Sequence, residues 1–111
     1  MSWEVFLTPE SQVDVLVLHQ YVRLQTGQER ADAVVTSIES LCESLAELPE
    51  RGHLVPELAT LGYRTMRELH WHSWRIIYEV GVDIVVVHAV IDGRRNLGEV
   101  LSQRMALVGG G

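Results

Sequence analysis

Apolar residues recur with two different periods along this chain, and the change of period divides it into elements. Between Met66 and Ile91 the pattern is that of strands, whose successive side chains point to opposite faces. Met66-Arg67-Glu68-Leu69-His70-Trp71 is followed by Trp74-Arg75-Ile76-Ile77-Tyr78-Glu79-Val80 and then by Ile84-Val85-Val86-Val87-His88-Ala89-Val90-Ile91. In the middle run Trp74, Ile76, Tyr78 and Val80 share one face; Arg75, Ile77 and Glu79 share the other. The last run is apolar on both faces except at His88, which suits a strand inside a sheet. His72-Ser73 and Gly81-Val82-Asp83 supply the reversals, so the three runs predict an antiparallel meander.

Trp3 to Leu7 alternates like a further strand, and Thr8-Pro9 reads as an N-cap followed by proline at the first helical position. Val13 to Leu24 fits two patterns. Val13, Val15 and Val17 alternate, while Val13, Leu16, Val17, Gln20, Tyr21 and Leu24 also fit one helical face. Length and cap favour the helix, with Gly27 as its end. Val34, Ile38, Leu41, Leu45 and Leu48 repeat at four and three, the seam of a second helix that Pro49 stops. Thr26-Gly27-Gln28 joins the two as an antiparallel hairpin. Residues 49–62 read as loop. After the sheet, Asn96 and Glu99 form an N-cap and N3 pair, and Leu97, Val100, Leu101, Met105 and Val108 make an amphipathic stripe. The expected architecture is an α+β domain over residues 1–108, built from an N-terminal strand, a helical hairpin, a three-stranded meander and a C-terminal helix, with glycines 109–111 as a tail.

Charge narrows the functional classes. The chain has 111 residues, a formal net charge of −6 and nine cationic residues, all of them arginine. Nonspecific nucleic-acid binding draws its affinity from basic surface, so the acidic balance argues against it while leaving room for a local arginine site. Cys42 is the one cysteine, which excludes an internal disulfide; it falls on the inward side of the second helix and reads as a buried, inert thiol. No signal-peptide pattern and no apolar run of membrane-spanning length is present, and a cytoplasmic protein is expected.

His70 and His72, two apart beside a strand end, have the spacing to share a metal, but no third ligand is evident, and both are expected in water. No cofactor is expected. A Ser/His/Asp constellation and a phosphate-binding glycine loop are both lacking. The arginines remain. Arg67, Arg75, Arg94 and Arg95 are the candidates for gripping phosphate or a target, since guanidinium forks match phosphate oxygens; Arg67 and Arg75 reach one anion if they share a face. Glu57 and His88 are the available proton carriers. The structural alternative is that Arg75 pairs with Glu68 or Glu79 across strands, and that Arg94-Arg95 is a solvated turn.

The string Pro49-Glu-Arg-Gly52, Val55-Pro-Glu-Leu58, Arg67-Glu-Leu69, Trp74-Arg-Ile-Ile-Tyr-Glu-Val80 and Asp92-Gly-Arg-Arg95 resembles the ParE/RelE superfamily of toxins from type II toxin–antitoxin modules. The resemblance spans nearly the whole chain. It implies a growth inhibitor neutralised by a cognate antitoxin, whose extended C-terminal segment folds over apolar toxin surface and which, rather than the toxin, binds operon DNA. ParE-like members act on DNA gyrase without established catalytic residues. RelE-like and YoeB-like members are ribosome-dependent mRNA endoribonucleases, for which this chain would use Arg75, Arg95, Glu57 and His88. Arg75 and Arg95 fall on arginines of the ribonuclease branch. Met66 and Glu68, however, stand where that branch carries lysines, and Leu101 stands where it carries its C-terminal tyrosine. Pro56-Glu57 sits in the context of the YoeB-like base. With the acidic balance, these departures favour the ParE-like reading, with gyrase as partner and no membrane association.

Overall fold

The structure is a computed structural model that describes residues 2–109. Strand β1 (Glu4–Leu7) leads into helix α1 (Pro9–Thr26) and helix α2 (Gln28–Ser44); strand β2 (His53–Leu54) and a one-turn helix α3 (Pro56–Ala59) follow. Strands β3 (Met66–Trp71), β4 (Trp74–Val80) and β5 (Ile84–Asp92) then precede helix α4 (Leu97–Gly109). The five strands form one sheet in the order β1-β5-β4-β3-β2, antiparallel except where β1 runs parallel to β5. The predicted meander is present, and β5 is interior, between β1 and β4.

Local chemistry accounts for the element ends. The Thr8 hydroxyl accepts the Ser11 amide at 3.1 Å and caps α1. Gly27, at φ 101°, separates α1 from α2 in a conformation that a side chain would strain. The Asn96 side chain accepts the Glu99 amide at 3.0 Å and starts α4. Between β3 and β4, His72 takes φ 54° in a two-residue reversal.

The sheet is buried on both faces. One face packs against the α1–α2 hairpin through Leu18, Val34, Ile38, Cys42 and Leu45, which meet Ile76, Tyr78, Val85, Val87 and Val90. The other packs Val55, Met66, Ile77, Ala89 and Ile91 against Leu97, Val100 and Leu101 of α4. Strand β5 serves both faces through a bulge. Ile77 pairs with Ala89 but Tyr78 with Val87, so His88 is skipped and the inward parity of β5 reverses there.

Two expectations are corrected, and α1 shows which of its faces is buried. Helix α2 ends at Ser44 rather than at Pro49, because Leu45 and Ala46 turn back onto Cys42 and Glu43 carbonyls; Leu48 therefore leaves the seam and is 63% exposed. Residues 49–62 are not all loop, since β2 and α3 lie within them and Val55 is fully buried. On α1, the apolar positions Val13, Leu16, Val17, Tyr21 and Leu24 face solvent, while Ser11, Asp14 and Leu18 face inward. Helix α4 reaches Gly109, the first of the three tail glycines. Met105 and Val108, expected on its stripe, lie outside the residues whose side chains are described.

Candidate functional site

Arg75 is the second residue of β4 and points to the face that carries α3 and α4. Its guanidinium is clamped by two carboxylates. Nη1 and Nη2 donate to the two oxygens of Glu57 at 2.7 and 2.9 Å; Nε and Nη2 donate to the two oxygens of Glu68 at 2.9 and 2.8 Å. Four of its five N–H groups are thus satisfied within the protein. Glu68 is 1% exposed and Arg75 8%. Hydrogen bonding from Arg75 holds the Glu57 carboxyl down to about 2, and the two carboxylates in turn raise Arg75 well above its ordinary value. Burial pushes the Glu68 carboxyl up, but Arg75 and His70 outweigh it and the net shift is downward. A carboxylate held ionised by a bidentate guanidinium is a poor proton acceptor at neutral pH.

The other arginines do not join this cluster. Arg67 pairs in register with Tyr78, whereas Arg75 pairs with His70, so Arg67 and Arg75 lie on opposite faces and no single anion bridges them. Arg67 Nη1 instead donates to the Gly52 carbonyl at 2.8 Å. Arg94 folds back on Asp92, Nε at 3.0 Å and Nη2 at 3.0 Å from its two oxygens, and stays exposed. Arg95 is exposed on the same turn. His88 Nε2 lies 3.2 Å from Glu79; by strand register it is three residues from the position opposite Arg75, about 10 Å along the sheet. Glu57, Arg75 and His88 are therefore not assembled around one point.

Gly52, immediately before β2, is held against the Glu68 backbone and the Tyr78 hydroxyl. Its amide donates to the buried Tyr78 hydroxyl at 2.9 Å, and a Cβ there would lie 2.5 Å from the Glu68 carbonyl oxygen and 2.6 Å from that hydroxyl. The backbone contact cannot yield cheaply. Gly52→Ala is expected to cost about 1–3 kcal/mol of overpacking strain, read as a lower thermal midpoint.

Several functional-type residues escaped the sequence reading. Asp14 and Arg104 form a bidentate pair at 2.7 Å joining α1 to α4. His53 on β2 stands opposite Glu68 and beside His70, with ring centroids 5.5 Å apart. His72, by contrast, is turned out of the strand and packs edge-on to Trp71 at 4.2 Å. Cys42 is buried, and desolvation followed by Glu39 and Glu43 raises its thiol to about 12, as suits an inert core residue.

Two surface features complete the description. The exposed α1 positions Val13, Leu16, Val17, Tyr21 and Leu24 form a continuous apolar stripe, with Leu16 69% and Leu24 68% exposed. Tyr21, toward the C-terminal end of the stripe, meets Trp74 edge-to-face at 6.3 Å, and both line an open recess of about 370 Å³ with Asp92, Arg94 and Arg95.

This sheet order and these arginine motifs can be set beside known proteins. The family model for the ParE toxin of the type II toxin-antitoxin system parDE matches residues 5–97. The chain belongs to the ParE toxin family. A chain from the solved structure "Chromosomal ParDE TA system from P. aeruginosa" superposes with a TM-score of 0.69 at 14% identity, covering 82% of this chain and 96% of that one. At that identity the likeness establishes the fold. No curated protein sequence matches. As a ParE-type toxin the chain is one half of a toxin–antitoxin pair, and no helix among its described residues is long and apolar enough to cross a membrane.

Proposed function

We propose that this ParE-type toxin arrests growth by binding DNA gyrase, without chemistry of its own, and that its antitoxin neutralises it by covering the apolar stripe of α1. The observation that carries this reading is the clamp on Arg75. The guanidinium that a ribonuclease would present to phosphate is engaged by Glu57 and Glu68, and the proposed base Glu57 is held ionised by it. Arg94 and Arg95 remain on an exposed turn, beside an aromatic recess suited to a protein target. Purified toxin is expected to abolish supercoiling of relaxed plasmid by gyrase, and to leave no new ends on translated mRNA in primer extension. Unaffected gyrase at large molar excess of toxin would remove the reading.

Antitoxin docking follows from the same surface. Five apolar side chains on one turn-spaced face stay out of the core, and an amphipathic or extended partner segment has reason to bury them. Tyr21 belongs to both stripe and recess, so a segment lying on α1 would also overlie the turn that carries Arg94 and Arg95. Leu16→Glu and Leu24→Glu are each expected to weaken antitoxin binding by about 2 kcal/mol, roughly 30-fold, in calorimetry. Both positions are exposed, so the toxin's own melting temperature should hardly move.

A further inference from the structure

We propose that His53, Glu68 and His70 form a binding site for a divalent transition-metal ion of the zinc class. Among the described residues these three offer ligand atoms that all lie within 4.8 Å of one another. The sheet places them. His53 and Glu68 are register partners across β2 and β3, and His70 follows Glu68 by two, so all three project from one face. Glu68 Oε2 lies 3.6 Å from His53 Nε2, and Glu68 Oε1 is in hydrogen-bond contact with His70 Nε2. Metal–ligand bonds of 2.0–2.2 Å in a tetrahedral site set donors about 3.3 Å apart, so rotation of two exposed imidazoles suffices to close the triad.

Two imidazoles and one carboxylate suit zinc, nickel or cobalt, and disfavour magnesium and calcium, which take oxygen ligands. The carboxylate is positioned as a ligand requires. Arg75 occupies one lone pair of each Glu68 oxygen, at 2.9 Å to Oε1 and 2.8 Å to Oε2, which fixes its plane and leaves the remaining lone pairs toward the two histidines. Charge agrees as well. Glu57 and Glu68 against Arg75 leave one negative charge at the cluster, which a divalent cation offsets. Both histidine side chains are more than half exposed, so the outer coordination positions open to water. The ion would clasp the two-residue strand β2 to β3, and with it the segment that carries Glu57.

The test is calorimetric titration of the purified, untagged chain with zinc chloride at neutral pH, with the thermal midpoint measured with and without zinc. One equivalent is expected to bind and to raise the midpoint. His53→Ala and His70→Ala should each weaken binding by at least the roughly 10–100-fold that loss of an outer partner costs, while His72→Ala binds as the parent does. His70→Gln keeps a hydrogen-bonding group beside Glu68 and should lose zinc equally, which separates ligation from support of the fold. Absence of saturable binding, or binding that survives both His53→Ala and His70→Ala, overturns the site.

Discussion

Arg75→Ala is expected to be the most damaging single substitution in the sheet, lowering stability by about 3–5 kcal/mol, because it strands a buried carboxylate. Glu68 is 1% exposed, and both its oxygens accept from Arg75. With the guanidinium gone, the carboxylate keeps only its histidine neighbours. The readout is a lower urea midpoint with the slope unchanged, which separates lost stability from a changed unfolded state. A double replacement, Arg75→Met with Glu68→Leu, should recover most of the loss, since an apolar pair of similar volume removes the desolvation cost together with the attraction. The same cluster sets the acid limb of stability. The Glu57 and Glu68 carboxyls are held below their ordinary value of 4.5, so the unfolded chain binds protons more readily than the folded one. Their contribution is fully present above about pH 4.5 and fades as pH falls toward 2, the value at which Glu57 is held. Glu57 carries the larger displacement, discounted for its exposure, and Glu68 adds to it in the same direction; the Arg75→Met/Glu68→Leu protein, which lacks the guanidinium that holds both carboxyls down, should show a flatter acid limb.

How much of this was legible in the sequence depends on whether a signal was local. The meander was, because each strand is long and bounded by turn residues. The faces of β4 were legible too. With a two-residue reversal at His72-Ser73, Trp71 must oppose Trp74 and Arg67 must oppose Tyr78, so the separation of Arg67 from Arg75 was implicit in the hairpin. Half of the Arg75 clamp was foreseeable, as Glu68 lies on the neighbouring strand. Glu57 was not, because α3 is one turn long and owes its position to Val55 and Leu58 packing under the sheet. His53 escaped for the same reason, since a two-residue strand has no period to detect. The orientation of α1 was not legible for a different reason. Hydrophobic periodicity marks a face that leaves water, but it does not say whether the chain's own core or a partner removes it. On α1 the stronger stripe faces outward, and the inward seam carries Ser11 and Asp14 because both find internal partners. Ser11 donates to the Thr8 carbonyl at 2.9 Å.

Asp14 is the second site where one substitution should cost much, and its position explains why a helix buries a carboxylate. Strand β1 ends at Leu7, opposite Val87, so the edge of β5 beyond the bulge has no strand beside it. Two backbone groups there need partners. The Val90 amide donates to Asp14 Oδ2 at 2.9 Å, and the His88 carbonyl accepts from Arg104 Nη1 at 2.8 Å. Asp14 and Arg104 then close on each other, so α1 from one layer and α4 from the other meet around the open end of the sheet. Asp14→Ala removes the acceptor of a buried amide and the counter-charge of a mostly buried arginine, at an expected cost of about 3 kcal/mol. Asp14→Asn keeps an acceptor for Val90 and should cost about half as much, mostly the charge-assisted part of the Arg104 bonds. Amide hydrogen exchange distinguishes this account from a general loosening. In Asp14→Ala, protection should fall first at Val90 and along α4, while β3 and the first half of β4 exchange as before. Uniform loss of protection across the sheet would mean that the pair supports the whole core rather than the junction of α1, β5 and α4.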